Sequence, residues 1–241
     1  MAEPLFYSEH LADSGATLTL TGDEAHHAAT SRRLHAGDTL WLFDGRGGIA
    51  HATLRHMTAR GRELELRIDE RHTEPPVKPA IHLACALPKG DRQNVLLDMA
   101  TQLGMTQFTP LVCERSVVKP GARNIERWQR VCLEACKQSR RLYLPDIHPP
   151  ATLRAVTERA AAQGNDIWIA HPAAQAIPLA SAVSQSAADA ITILVGPEGG
   201  FTETEVSQAA AHARILKLGS AILRIETAAV ALVAAFARAG G

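Results

Sequence analysis

The first third of the chain alternates apolar and polar residues in short runs that are separated by turn residues. These runs are Ala16–Leu20, Asp38–Phe43, Ile49–Leu54 and Glu63–Ile68. A period of two residues is typical of strands that bury one face and expose the other. Only Ala25–Leu34 has helical spacing in this part of the chain. The pattern predicts a small β barrel or sandwich over residues 1–72.

The hydrophobic period changes after a proline-rich segment at 73–79, which we interpret as a linker because proline stiffens the chain and cannot complete a strand ladder. From 80 to 241, apolar runs alternate with helical spacing. The predicted strands are Ile81–Leu87, Phe108–Cys113, Ile167–Ala170, Ile191–Val195 and Ile215–Leu218. The predicted helices are Asp91–Leu103, Asn124–Arg141, Thr152–Gln163, Glu203–Ala213 and Glu226–Arg238. This order predicts an α/β fold with a mainly parallel sheet covered on both faces.

Composition restricts the class of protein. The chain has 241 residues, 46% of them hydrophobic, which is enough for a sizeable core, and its 25 basic and 25 acidic side chains cancel. Four cysteines form no CxxC pair, and no signal peptide precedes the first residues. The longest apolar run, Ala228–Ala237, is shorter than the roughly 20 residues of a membrane-spanning helix. We therefore expect a soluble, cytoplasmic protein without a disulfide framework, and the scattered histidines predict no metal site.

Positive charge is concentrated in residues 80–150, which carry ten basic and six acidic side chains. Helical spacing places five of the cations on one face: Arg123, Arg127, Arg130, Lys137 and Arg141. Trp128 and Cys132 lie on the opposite side. One interpretation is a solvated helix face on which Glu134 pairs with neighbouring cations. The other is a surface that follows nucleic-acid phosphates, extended by Arg115, Lys119 and Arg140.

The segment Gly196–Gly200 reads Gly-Pro-Glu-Gly-Gly and directly follows a predicted buried strand. A Thr202-x-x-Glu205 capping box then marks the start of a helix. Ligands of open α/β sheets bind at the carboxyl ends of the strands, where glycine lets the main chain approach a ligand and Glu198 adds a carboxylate. A tight strand-to-helix turn is the structural alternative. The chain contains neither of the common glycine-rich phosphate-binding motifs.

Two further loops follow predicted strands. In Leu218–Ala229, Gly219 allows a turn and Arg224 lies among apolar neighbours in the sequence, so we expect an anionic ligand or a structural pair with Glu198 or Glu226. In the loop Ala170-His171-Pro172, His171 is either a base or a polar loop residue.

The two glycine-containing loops resemble the signature motifs of a known family. Val195–Phe201 and Leu218–Ala228 are similar to those of the RsmE family, the small-subunit ribosomal RNA uridine N3-methyltransferases of the knotted SPOUT class. The resemblance extends, in the family's order, to Lys89–Arg92, Gln102–Gly104, Pro110, Glu114–Ser116, Glu134–Cys136, Gln138, Ser139, Arg141 and Pro145. His27, Arg33, Gly37, Asp38 and Phe43–Gly45 resemble its PUA-like RNA-binding barrel. The sequence departs from the family pattern at Thr30, Arg32, Asp98, Met99, Gln102 and Lys137.

The resemblance implies a C-terminal SPOUT-type parallel sheet with a trefoil knot, preceded by the PUA-like barrel. It also implies a homodimer that methylates N3 of a uridine in 16S ribosomal RNA of the small ribosomal subunit, with S-adenosyl-L-methionine as cofactor. The cofactor residues would be Ala170, His171, Pro172, Leu194, Val195, Gly196, Gly199, Gly200, Leu218, Gly219, Ile222 and Leu223.

The catalytic roles follow from the same resemblance, whereas the RNA-binding candidates combine the basic stripe with the resemblance to the barrel. Arg224 would stabilise the charge that develops on uracil, and Glu198 or Glu226 would accept the N3 proton or orient Arg224. The RNA-binding residues would be Arg33, Arg115, Arg123, Arg127, Arg130 and Arg141. The alternatives are another SPOUT enzyme that methylates transfer RNA or a ribose 2′-hydroxyl, or an RNA-binding protein without catalytic activity.

Overall fold

The computed structural model describes residues 3–58, 61–121 and 123–237. Two compact units are present, and the first combines Met1–Pro76 with Cys136–Leu144. The second combines Val77–Ala135 with Pro145–Gly241. The domain boundaries inferred from the sequence, with a barrel to residue 72 and a linker at 73–79, stay predictions. The structure adds that a short stretch from the middle of the chain belongs to the first unit.

Within its described residues, the first unit contains one complete helix and a five-stranded sheet in the order β1-β3-β4-β5-β2. Its elements are β1 (Leu5–Tyr7), β2 (Thr17–Thr21), α1 (Gly22–Thr30), β3 (Thr39–Phe43), β4 (Gly48–Met57) and β5 (Glu63–Thr73). Strands β1 and β3 pair in parallel, and the other strand pairs described here are antiparallel. Two register shifts between β4 and β5 increase the local twist, which helps the sheet to curl. The four predicted strands are confirmed, whereas β1 has no signal in the sequence pattern.

Alternation of buried and exposed residues explains the core of this unit. Leu64, Leu66 and Ile68 of β5 are fully buried, while the residues between them are exposed. They pack with Leu40 of β3 and Ala28 of α1. Helix α1 ends at Thr30, four residues before the predicted Leu34.

The second unit is the predicted mainly parallel sheet, in the order β11-β13-β10-β12-β6-β7-β8, with β9 also paired to β7. Its strands are β6 (Ala80–Ala86), β7 (Met105–Val112), β8 (Asp146–Ile147), β9 (Ala151–Thr152), β10 (Asp166–Ala170), β11 (Ile177–Pro178), β12 (Ala190–Val195) and β13 (Arg214–Lys217). The remaining helices are α2 (Arg92–Gln102), α3 (Arg123–Ser139), α4 (Leu153–Ala162), α5 (Leu179–Gln185), α6 (Glu203–Ala209) and α7 (Ile225–Phe236). All pairings in this sheet are parallel.

Helices cover both faces of this sheet. Leu83 of β6 lies in one core with Leu96 of α2 and Leu232 of α7. Its neighbour Ala84 lies in the other core with Val156 of α4. Strand β6 is buried along nearly its whole length because each face has its own helical cover, which is why its sequence reads as an apolar run.

The five predicted strands and five predicted helices of this unit are all present, with ends that move by at most four residues. The predicted end of the last helix, Arg238, lies outside the described residues. The largest change is in α6, which ends at Ala209 instead of Ala213. The short elements α5, β8, β9 and β11 carry no clear periodicity, and the sequence did not predict them. All four cysteines are buried free thiols. No helix within the described ranges is both long and apolar enough to cross a membrane.

Candidate active site

A cavity of about 430 Å³ opens at the carboxyl ends of the neighbouring strands β13, β10 and β12. Three loops form its wall, and the first residues of α7 close it on one side. Because parallel strands end at the same edge of the sheet, loops that are distant in sequence meet here. The volume is typical of a site for a small organic ligand.

Eleven of the twelve residues that the sequence assigned to the cofactor line this cavity. They are Ala170, His171, Pro172, Val195, Gly196, Gly199, Gly200, Leu218, Gly219, Ile222 and Leu223. Leu194 is the exception. It is fully buried in the core with Ala84 and Ile169, because alternation along β12 points it away from the neighbouring Val195. Leu194 is therefore not part of the cavity wall, and its assignment to the cofactor stays a prediction.

The loop Gly196–Gly200 is a tight turn as well as a wall of the cavity. The Gly200 N–H donates to the Pro197 carbonyl oxygen at 2.8 Å, and Gly200 has a φ of +70°, in the left-handed region that favours glycine. Phe201 is buried beneath the loop, and a Cβ added at Gly196 would lie 3.0 Å from its ring. The close packing of the main chain against Phe201 is therefore possible only because Gly196 has no side chain.

The predicted capping box at the start of α6 is confirmed. The Glu205 N–H donates to the Thr202 hydroxyl oxygen at 3.3 Å, and the Thr202 N–H donates to Glu205 Oε2 at 2.9 Å. The other carboxylate oxygen of Glu205 accepts a hydrogen bond from the Glu114 N–H at 3.0 Å. The cap thus connects the loop that follows β12 to the loop that follows β7.

Arg115, which the sequence assigned to RNA, lines the cavity. Its Nη1 donates to the carbonyl oxygen of Gly199 at 2.9 Å. The guanidinium, which belongs to a different loop, thereby restrains the position of the glycine loop. Sequence spacing gave no sign of this contact, because Arg115 and Gly199 are 84 positions apart.

Glu198 and Glu226 share a cation that the sequence analysis did not select. Arg92 approaches Glu198 Oε1 with Nη2 and Glu226 Oε1 with Nη1, both at 3.4 Å. Of the two alternatives for Arg224, the structural pair with Glu198 or Glu226 is therefore not formed within the described residues. Arg92 belongs to the Lys89–Arg92 motif, but no local pattern identifies its partners.

Arg224 is exposed and precedes the first turn of α7 as its N-cap residue. Its apolar neighbours in the sequence do not bury it, because Leu223 and Ile225 line the cavity whereas Arg224 does not. Across the described ranges, its side chain makes no hydrogen bond or ion pair. A ligand is therefore free to contact its guanidinium.

The basic face of α3 divides into exposed and enclosed side chains. Arg127 and Arg130 are exposed, and Arg127 donates to Asp91 Oδ1 at 2.9 Å. Lys137 is only 9% exposed and forms an ion pair with Glu24 at 2.8 Å. The placement of Lys137 on a solvent-facing stripe was wrong, because a packed carboxylate holds its ammonium group.

Three further arginines were predicted to bind RNA. Arg33 is exposed. Arg141 is half-buried, and its Nε is enclosed without a hydrogen-bond partner in the described part of the chain; burial lowers the pKa of this guanidinium. The side chain of Arg123 lies outside the described residues. In the ranges that the structure describes, no group of three histidine, cysteine or acidic side chains is arranged to hold a metal ion.

Comparisons with known proteins give the class of this protein. A family model described as RNA methyltransferase domain matches residues 74–237, and one described as RNA methyltransferase PUA domain matches residues 20–66. The chain thus joins an RNA methyltransferase domain, built on a mainly parallel sheet, to a PUA domain, and the predicted fold class is confirmed in these respects.

Relatives identify the family. The chain is 34% identical to Ribosomal RNA small subunit methyltransferase E of Mycobacterium bovis, over 98% of this chain and 91% of that protein. It is 36% identical to the protein of that name from Synechocystis, over 88% of this chain and 70% of that protein. The chain belongs to the ribosomal RNA small subunit methyltransferase E family.

Two solved structures share this fold over nearly the whole chain. The putative methyltransferase Lpg2936 of Legionella pneumophila, in complex with the cofactor SAM, superposes with a TM-score of 0.86 at 27% identity and covers 98% of this chain and 97% of its own. The Neisseria gonorrhoeae ribosomal RNA small subunit methyltransferase E bound to S-adenosyl methionine has a TM-score of 0.85 at 30% identity and covers 97% and 96%.

Proposed function

We propose that the chain transfers a methyl group from S-adenosyl-L-methionine to N3 of a specific uridine in 16S ribosomal RNA of the small ribosomal subunit. The observation that carries this proposal is the cavity of about 430 Å³, which brings three predicted cofactor loops together in a member of this family. Since ribosomal RNA is the substrate in this proposal, we expect the protein to act in the cytoplasm.

The residues of the cavity fit this cofactor. A Cβ added at Gly200 or Gly219 would meet no atom within 4 Å, so the main chain of the wall is uncovered at both positions. Ile225 and Ala228 add an apolar surface for the adenosine. When bound, the cofactor supplies an electrophilic methyl group on a sulfonium centre.

The catalytic role proposed for Arg224 follows from its exposed position between two residues of the cavity wall. As uridine N3 loses its proton, negative charge spreads to the flanking carbonyl oxygens. A fixed guanidinium directed at one of these oxygens stabilises the transition state more than the ground state. Arg224→Ala is therefore expected to reduce single-turnover methylation by about 100-fold or more while cofactor affinity changes little.

The function is tested by incubating the purified protein and S-adenosyl-L-methionine with small subunits that lack the modification, followed by mass mapping of the 16S ribosomal RNA. We expect one uridine to gain a methyl group on N3. Methylation of transfer RNA or of a ribose 2′-hydroxyl instead would support the other SPOUT activity. Cofactor binding without methylation of any of these RNAs would support a protein that only binds RNA.

RNA docking is proposed for the exposed arginines of each unit separately. In the second unit, Arg127 and Arg130 present guanidinium groups to solvent, and Arg115 lies at the cavity. In the first unit, Arg33 is exposed and Arg141 is half-buried. Phosphate contacts need accessible donors, so the geometry favours Arg33, Arg127 and Arg130 over Arg141. Arg123 stays a candidate from the sequence alone.

A homodimer is proposed from an apolar stripe on α2. Val95, Met99 and Leu103 follow one another at four-residue spacing and are 48%, 43% and 36% exposed. Side chains with this spacing share one face of a helix, and such a face is costly to leave in water. We propose that a second copy of the chain covers it. Met99→Glu is expected to shift the sedimentation coefficient from that of a dimer to that of a monomer, and an unshifted dimer would place the interface elsewhere.

A further inference from the structure

Arg92 occupies an unusual position at the candidate active site, because it joins carboxylates from two different loops. Glu198 belongs to the glycine loop after β12, and Glu226 belongs to the first turn of α7. The guanidinium reaches both at 3.4 Å from the start of α2. Two carboxylates that share one cation repel each other less than they would alone.

The two carboxylates differ in their access to a substrate. Glu198 lines the cavity and its side chain is 47% exposed. Glu226 is 13% exposed and is absent from the cavity wall. Its Oε2 is enclosed and has no hydrogen-bond partner in the described ranges. Only Glu198 is therefore placed to meet a base that enters beside the cofactor, whereas Glu226 serves to hold Arg92.

We propose that Arg92 is a positioning residue that holds Glu198 at the cavity wall as the acceptor of the uridine N3 proton, with Glu226 as its anchor. This inference rests on the proposed function. In the step, the N3–H bond breaks and the proton forms an O–H bond with the Glu198 carboxylate. The electron pair left on N3 forms the bond to the transferred methyl group, and the leaving sulfur keeps the pair of the bond that breaks.

The shape of the guanidinium matters for this role. Its two terminal nitrogens contact one carboxylate each, so a single planar group fixes the separation of Glu198 and Glu226. Lysine carries the same charge on one atom and satisfies one carboxylate at a time. Glutamine removes the charge. Comparing arginine, lysine and glutamine at position 92 therefore distinguishes the effect of the positive charge from the effect of the planar shape.

The test measures single-turnover methylation of small subunits together with cofactor affinity by calorimetry. We expect Glu198→Gln to lower the rate by about 100-fold or more, as for loss of a general base. Arg92→Gln is expected to lower it about tenfold with cofactor affinity and the RNA concentration dependence unchanged, and Arg92→Lys to recover part of this loss. The control is Arg154→Gln, which removes an exposed arginine paired with Glu158 on α4 and should change neither quantity.

The double variant Arg92→Gln/Glu198→Gln decides whether Arg92 acts through Glu198. If it does, the double variant is about as slow as Glu198→Gln alone, because the two changes remove one function. If the rate of the double variant falls by the product of the two single factors, Arg92 acts independently of Glu198. If Arg92→Gln loses cofactor affinity in proportion to its rate, Arg92 shapes the cofactor site. A normal rate in Glu198→Gln would overturn the proton-acceptor role. Absence of N3 methylation by the unaltered protein would instead refute the proposed function itself.

Discussion

The Arg115 guanidinium donates a hydrogen bond to the main-chain carbonyl oxygen of Gly199 at 2.9 Å. This contact joins the loop after β7 to the glycine loop after β12, and both residues line the cavity. A loop that is held before the ligand arrives costs less entropy on binding than a mobile one. The position of the glycine loop therefore depends on a residue that does not belong to any of the three loops.

Loss of this bond is expected to weaken cofactor binding. A hydrogen bond to a charged donor contributes about 1.5–3 kcal/mol, and exposure of Arg115 favours the lower limit. Arg115→Met should therefore reduce the affinity for S-adenosyl-L-methionine roughly tenfold. Calorimetric titration measures the effect, and Arg154→Met is the matched control. Equal affinities in both variants would show that the loop holds its position without Arg115.

Gly196 is expected to reject even the smallest side chain. A Cβ at this position would lie 3.0 Å from the buried Phe201 ring, so the ring or the loop must move. Such overpacking typically costs about 1–3 kcal/mol. Gly196→Ala should lower both the unfolding midpoint and the cofactor affinity, whereas Gly121→Ala, where no atom lies within 4 Å of the added Cβ, should lower neither. A normal cofactor affinity for Gly196→Ala would contradict the prediction.

Charge reversal on the exposed part of α3 tests RNA docking. Arg127→Glu and Arg130→Glu should each weaken RNA binding and reduce the slope of log affinity against log salt concentration by about one. The measurement is RNA binding at several salt concentrations, with cofactor titration as the control for folding. A slope that does not change in either variant would mean that this face is only solvated.

The ion pair between Lys137 and Glu24 is expected to stabilise the first unit. Their side chains are 9% and 16% exposed, and Glu24 Oε2 also accepts the Tyr7 N–H at 3.0 Å. Removing one partner of a buried pair typically costs about 3–5 kcal/mol. Lys137→Met should lower the free energy of unfolding by about this amount, and Lys137→Met/Glu24→Gln should lose less than the two single losses added together. Urea denaturation followed by far-ultraviolet circular dichroism measures these values; additive losses would exclude a coupled pair.

The buried His82 is expected to make the free energy of unfolding depend on pH. Burial lowers its pKa to about 3 from an ordinary value near 6.5, and its Nε2 lies 2.8 Å from the Thr109 hydroxyl oxygen. Between these two pH values the unfolded chain binds more protons, so stability falls as pH falls from about 6.5 towards 3. The loss approaches about 1.4 kcal/mol per pH unit. His82→Gln should lose less stability than the unaltered protein between pH 7 and pH 5; identical slopes would contradict the buried neutral histidine.

Local pattern was sufficient for most of the secondary structure. Periods of two residues and continuous apolar runs identified the main strands, because burial on one or both faces imposes these patterns directly. The capping box at Thr202 and the glycines of the cavity loops were equally readable, since both serve contacts within a few residues of chain. These features, together with the family resemblance, predicted eleven of the 21 residues that line the cavity.

Tertiary structure alone decided which charged groups meet. Arg92 is 106 residues from Glu198 and 134 from Glu226, and Lys137 is 113 from Glu24. The sequence marks each of these side chains as charged, but packing determines whether it faces solvent or a distant partner. For the same reason, spacing placed Lys137 on an exposed stripe. The sequence also offered Glu198 or Glu226 as a partner for Arg224, whereas in the folded chain Arg92 contacts both carboxylates. Composition and periodicity record how each residue relates to water, whereas long-range pairing depends on how whole elements pack together.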